Sequence, residues 1–130
     1  MILQTTLSLA AAAVIINLWL MTRIGRLRMS AKVMHGDGGN PLLTQRMRAQ
    51  ANFIEHAPLF LVLVAAIELT GRGGTWLAVV GSVFMLARVA HGFGMDRTDV
   101  NPFRAGGILV TVLAEIGLAV MAVLIALGRF

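Results

Sequence analysis

At 130 residues, with 58% hydrophobic side chains against 11 Lys/Arg and 6 Asp/Glu, the chain is too short and too apolar for an ordinary soluble domain; it reads as one domain, residues 1–130, built for lipid. The absence of cysteine excludes disulfides, thiolate nucleophiles and zinc–thiolate sites, so any thiol in its chemistry must arrive with a ligand. The net charge of +5 does not point to nucleic acid, because the basic residues cluster between the apolar stretches without interleaved aromatics.

Hydrocarbon about 30 Å thick requires runs of roughly 20 apolar residues, and four are present, at 2–21, 51–69, 76–93 and 107–127. The fold class predicted is therefore all-α, an integral membrane four-helix bundle. The first run lacks a basic start and opens with Gln4, Thr5 and Thr6, so it reads as a helix rather than a cleaved signal peptide. The 22–50 loop carries Arg23, Arg26, Arg28, Lys32, Arg46 and Arg48 against a single acid, Asp37, and the 94–106 loop adds Arg97 and Arg104. Only Arg72, Arg129 and the terminal amine lie on the other side. The positive-inside rule then places both termini outside and the 22–50 and 94–106 loops in the cytoplasm.

Within the first loop, His35-Gly36-Asp37-Gly38-Gly39-Asn40-Pro41 forms a turn that stops any helix running in from Arg23. It is not a dinucleotide-binding motif, which needs a preceding strand, and no strand pattern is present. Thr70-Gly71-Arg72-Gly73-Gly74 is a short turn, so helices 2 and 3 are predicted to be antiparallel neighbours. Ala78 with Ser82, and Ala122 with Ala126, offer small faces for close helix packing.

Ionisable groups inside a bilayer are costly and normally face protein or a wet cavity, which makes them the best functional pointers. On helix 2, Arg48, Asn52 and Glu55 follow one another at spacings of four and three and share a helical face. Arg88 and His91 lie near the cytoplasmic end of helix 3, so Arg88 is predicted at the depth of Glu55 and able to pair with it. Arg104 opens helix 4, and Arg26 and Arg28 follow helix 1. Four helices thus send polar groups to one membrane face, and a basic, partly enclosed pocket suits an anionic ligand. The structural alternative is a Glu55–Arg88 ion pair, with Arg48, Arg26 and Arg28 snorkelling to headgroups, and snorkelling is the reading preferred for Arg23, Arg46 and Lys32.

Glu115, three turns beyond Arg104, is either a proton-carrying acid or one that ties helices together. Glu68 and Asn17 are placed near the outer ends of their helices, in interface contacts or solvent. His56, rotated by about 100° from Glu55, is predicted to contact a neighbouring subunit or to support the site from behind. Three scattered histidines without ligand spacing give no metal site. So small a bundle has little interior, and burying this many polar side chains calls for an oligomer with its site at a subunit interface.

The run Arg48-Ala49-Gln50-Ala51-Asn52-Phe53-Ile54-Glu55-His56-Ala57-Pro58-Leu59-Phe60-Leu61 resembles the second-helix signature of the MAPEG superfamily, the membrane-associated proteins of eicosanoid and glutathione metabolism. Ala87-Arg88 with His91 is similar to its third-helix pattern, and the Gly-Asp-Gly-Gly turn to that of its small bacterial branch. The resemblance covers essentially the whole chain. It implies a homotrimer in a bacterial inner membrane, with glutathione or a related anionic thiol as co-substrate between adjacent subunits. Arg48, Asn52, Glu55, Arg88 and His91 would then bind the tripeptide, while Arg104 and Arg28, or failing that Arg26, take the catalytic positions beside the thiol.

Cations within a few Å stabilise thiolate over thiol, which implies a transferase or peroxidase acting on hydrophobic electrophiles that arrive through the lipid. His56 and His91 stand where many glutathione-using members carry tyrosine, a residue this chain lacks. The alternative within the same fold is a non-catalytic lipid-binding or scaffold member. A third reading is a small proton-coupled exporter with Glu115 or Glu55 as its proton carrier.

Overall fold

A computed structural model of the chain describes residues 2–130, and among these every regular element is an α-helix: α1 (Gln4–Ala31), α2 (Pro41–Leu69), α3 (Thr75–Gly94) and α4 (Pro102–Ala126). Met1, part of the expected domain, lies outside the described residues. All four helices are long and apolar enough to cross a membrane.

Three helices exceed the apolar runs. α1 continues past residue 21 to Ala31, α2 begins at Pro41 rather than 51, and α4 begins at Pro102 rather than 107. Hydropathy marks only the part of a helix that lipid covers, whereas capping decides where the helix starts. Both early starts use the same device, an Asn-Pro pair. Asn40 Oδ1 accepts the Leu43 amide at 3.1 Å and Asn101 Oδ1 the Arg104 amide at 3.0 Å, while the proline at the first helical position has no N–H to leave unpaired.

At its far end α1 stops at Lys32, whose left-handed backbone (φ 56°) returns its amide to the Arg28 carbonyl. The loop beyond is closed by Arg28, which donates to the Gly36 carbonyl at 2.7 Å. Asp37 accepts the Gly39 amide at 3.0 Å and the Thr44 hydroxyl at 2.8 Å. Those two bonds, the backbone one foremost, hold the Asp37 carboxyl below the usual carboxylate range.

α1 packs chiefly on α2, and α3 on α4; α1 also meets α3, and α2 meets α4. Helices α1 and α4 do not touch among the described residues, so they occupy opposite corners. Across the other diagonal, α2 and α3 meet largely through side chains, with the rings of Phe60 and Phe84 stacked at 3.7 Å. The core along this line is Phe53, Phe60, Val64, Leu77, Phe84 and Leu118.

The closest helix approach falls at glycines, not at the predicted small pairs, since Ser82 and Ala126 are exposed. A Cβ on Gly107 would stand 2.7 Å from His91 Cβ and 2.8 Å from the Ala87 carbonyl oxygen, and one on Gly94 would overlap the Arg104 backbone nitrogen. Only hydrogen fits between α3 and α4 there, and this brings the start of α4 against the end of α3.

Each end of the bundle is tied by an acid. At the end that carries the start of α1, Glu68 accepts the Thr5 and Thr6 amides, both at 2.8 Å, and the Thr6 hydroxyl at 2.6 Å. It therefore caps α1 from the last turn of α2, satisfying amides that a helix start leaves unpaired. Glu68→Ala is expected to lose about 1–2 kcal/mol, read as a lower thermal midpoint in detergent and faster amide exchange confined to the first turn of α1. At the Arg-rich end, the Asp96 carboxylate receives both Arg23 and Arg46, the latter at 3.2 Å, which joins α1, α2 and the end of α3.

Candidate functional site

Arg88 is the largest fully buried side chain, at 2% exposure. Its Nη1 donates to Asn52 Oδ1 on α2 at 2.6 Å, but Nε and Nη2, also buried, have no partner among the described residues. A guanidinium has five N–H donors and no acceptor capacity, and burying such donors unsatisfied is costly. Of the possible acceptors, a carboxylate is the best geometric match to the unpaired Nε–Nη2 side of the fork.

The expected Glu55–Arg88 ion pair is not formed. Helix α2 turns Ala49, Phe53, Ala57, Phe60, Val64 and Ile67 inward, and Glu55 lies about 200° round the helix from Phe53, so it points out of the bundle and is exposed. Asn52 sits at the edge of the inward face and reaches Arg88 in its place. Arg48 is exposed on the same outward stripe as Glu55. Continuing along that stripe, Leu59, Val62 and Leu69 are each more than 60% exposed, so it is polar at the Arg-rich end and apolar beyond.

Beside Arg88 and Asn52 the structure brings His91 and Arg104. His91, 5% exposed, lies one turn along α3 and within electrostatic reach of Arg88, Arg104 and His56. Arg104 is half-buried at the start of α4, and its side chain makes no ion pair among the described residues. Gly107 sets the distance between these groups, because α4 there lies against the backbone of His91 itself.

Arg28 is placed elsewhere. Its guanidinium is engaged with the Gly36 carbonyl and with Met47 Sδ, and it holds the loop between α1 and α2 rather than facing Asn52 and Arg88. Arg26 is exposed.

Two polar pairs were not legible as pairs in the sequence. His56 Nδ1 lies 3.0 Å from both Glu115 carboxylate oxygens, so within one chain its contact joins α2 to α4. Asn17 is not at an outer helix end: it lies near the middle of α1, where its Oδ1 accepts from Gln50 Nε2 at 3.2 Å, because α2 runs antiparallel to α1.

Two other cavities bear on the reading. A cleft of about 670 Å³ opens at the opposite end of the bundle, between Gln4, Ser8, Glu68, Thr75 and Ser82. Its one acid is already saturated by threonine donors, so it offers no convergent charge. A second groove, about 320 Å³, runs between α3 and α4 and is lined by Val83, Leu86, Ala90, Phe103, Gly106 and Val110, adjacent to Arg104 in sequence and apolar throughout.

Comparison with known proteins bears on the family and the membrane. The chain is similar to the inner membrane protein YecN of Escherichia coli K12, with 32% identity over 98 residues that cover 70% of this chain and 74% of that protein. YecN of Escherichia coli O6:H1 matches over the same extent at the same identity. Together with four helices of membrane-crossing length, this likeness makes the chain an integral protein of the bacterial inner membrane. The MAPEG family model matches residues 6–124, nearly the whole length and including every residue of the Arg88 cluster, and the chain belongs to the MAPEG family.

Proposed function

We propose that this protein is a membrane-bound glutathione-dependent transferase or peroxidase for hydrophobic electrophiles, working as a homotrimer with its site between adjacent subunits at the cytoplasmic face. The observation that carries this reading is the half-satisfied guanidinium of Arg88, bonded to Asn52 on one side with two buried nitrogens unpaired on the other. The tripeptide has two carboxylates and a thiol, and a carboxylate meeting Nε and Nη2 would complete the fork. Arg48 and Glu55, exposed on the outward stripe of α2, suit the remaining charged groups of a ligand held between this stripe and a neighbouring subunit.

Arg104 supplies the cation that would hold the sulfur as thiolate, since it is half-buried and carries no internal counter-ion. The apolar groove between α3 and α4 lies open to lipid and fits a hydrophobic electrophile. Arg28, committed to its loop, is a weaker candidate for the catalytic position than Arg104.

Isothermal titration of glutathione into the detergent-solubilised protein tests the proposal. Saturable heat with one site per subunit interface is expected, competed by S-alkyl glutathione, alongside a trimeric mass by light scattering. Absence of binding in a trimeric, folded sample would overturn it in favour of a lipid-binding or scaffold role.

A further inference from the structure

We infer that His56 and Glu115 form a proton-accepting dyad that takes the thiol proton of the bound co-substrate and returns it to the product; the inference rests on the glutathione reading above. Glu115 on α4 meets His56 Nδ1 with both oxygens at 3.0 Å. A carboxylate oxygen beside Nδ1 favours the tautomer in which Nδ1 carries the hydrogen and Nε2 keeps its lone pair. This is the arrangement in which a carboxylate fixes one imidazole tautomer and stabilises the cation formed when the free nitrogen takes a proton. The two side chains come from different helices and are each roughly three-quarters buried, at 22% and 25% exposure, so packing holds the pair in register.

The surroundings place this base beside the anion site. On α2, His56 stands one turn beyond Asn52, the residue bonded to Arg88, while Arg48 and Glu55 face outward. From α3, Arg88 bonds to Asn52, and His91 lies one turn beyond Arg88. From α4, Arg104 reaches the same His91. On α1, Arg23 is committed to Asp96 and to the Gly92 carbonyl. Arg104 on α4 would hold the thiolate, but a guanidinium accepts no proton; the dyad supplies that function.

The step balances without a further reactant for addition to an electron-poor alkene. The S–H bond breaks, with its electron pair left on sulfur and its proton on Nε2. The thiolate then forms an S–C bond to the β-carbon, and the alkene π pair moves to the α-carbon. That carbon takes the proton back from Nε2, restoring the neutral imidazole. The electrophiles favoured are thus apolar α,β-unsaturated carbonyls, whose adduct needs a proton delivered.

The test measures two quantities when glutathione is added to weakly buffered protein at about pH 8, where an ordinary imidazole is neutral: the ultraviolet absorbance of the thiolate and the protons released to solution. In the unaltered protein, thiolate is expected with far less than one proton released for each one formed, because the dyad retains it. In His56→Gln the thiolate yield is expected to fall at least tenfold, or each thiolate formed to release a full proton. The kcat/KM for an enone should fall about 100-fold in this variant, with the acidic limb of its pH profile flattened and glutathione affinity kept within threefold.

Glu115→Gln, which preserves an acceptor for Nδ1–H, should give an intermediate loss and carries the test if His56→Gln fails to assemble. One proton released per thiolate in the unaltered protein, or an unchanged pH profile in a folded variant, overturns the dyad while leaving the glutathione reading intact. No glutathione binding by the unaltered protein overturns both.

Discussion

Arg88→Met is expected to abolish measurable glutathione binding while leaving the unliganded protein as stable as before, or more so. In the folded chain this guanidinium has lost its water and regained one hydrogen bond, to Asn52, for several donors buried. An apolar side chain of similar volume removes that desolvation cost, and such replacements of buried charge are often neutral or stabilising. The ligand loses a partner that was already desolvated and aimed, which by comparison with buried charge pairs costs about 2–5 kcal/mol, or roughly 30- to several-thousand-fold in affinity. Titration calorimetry beside a thermal melt of the same sample reads both effects. A variant that lost stability and kept its affinity would show that Arg88 belongs to the scaffold, and the anion site would have to be sought elsewhere.

The second large effect is expected at a position with no functional group. Gly107→Ala inserts a methyl where α3 offers His91 Cβ at 2.7 Å and backbone atoms at 2.8 Å, and backbone cannot turn aside as a long side chain would. The helices must separate, at a cost of about 1–3 kcal/mol. A drop of several degrees in thermal midpoint is expected. Because α4 carries Arg104 and Glu115 while α3 carries Arg88 and His91, the same methyl should also lower kcat/KM more than it raises KM for glutathione. Alanine at Gly106, where nothing lies within 4 Å, is the matched control and should leave the melt unchanged. Equal behaviour of the two variants would contradict the close-packed α3–α4 seam.

The candidate site was partly legible in the linear order of residues. The spacing of Arg48, Asn52 and Glu55 and the position of Arg88 bring polar groups from α2 and α3 to one level, and Asn52 does meet Arg88. The partner was misassigned because charge complementarity favours Glu55, while the rotation of α2 about its own axis is set by six apolar residues, from Ala49 to Ile67, that turn inward together. Asn52 and Glu55 share a polar face on a helical wheel, yet only one of them borders the core. His56 and Glu115 are 59 residues apart, and no local pattern links an imidazole on α2 to an acid on α4. The helix starts carried a signal that hydropathy overlooks: the Asn-Pro pairs at 40–41 and 101–102 are caps, and they begin α2 and α4 well outside the lipid-length apolar runs.

By itself the sequence determined four membrane-length helices, a basic loop face and, through the Arg48–Leu61 run, the family, because burial in lipid and a local motif are written along the chain and need no partner to be read. Tertiary structure alone decided which polar groups bond to one another, and that α3 and α4 close on glycine. Those outcomes depend on how each helix is rotated and how nearly it approaches the next, and rotation and approach are fixed by the packing of the whole core at once.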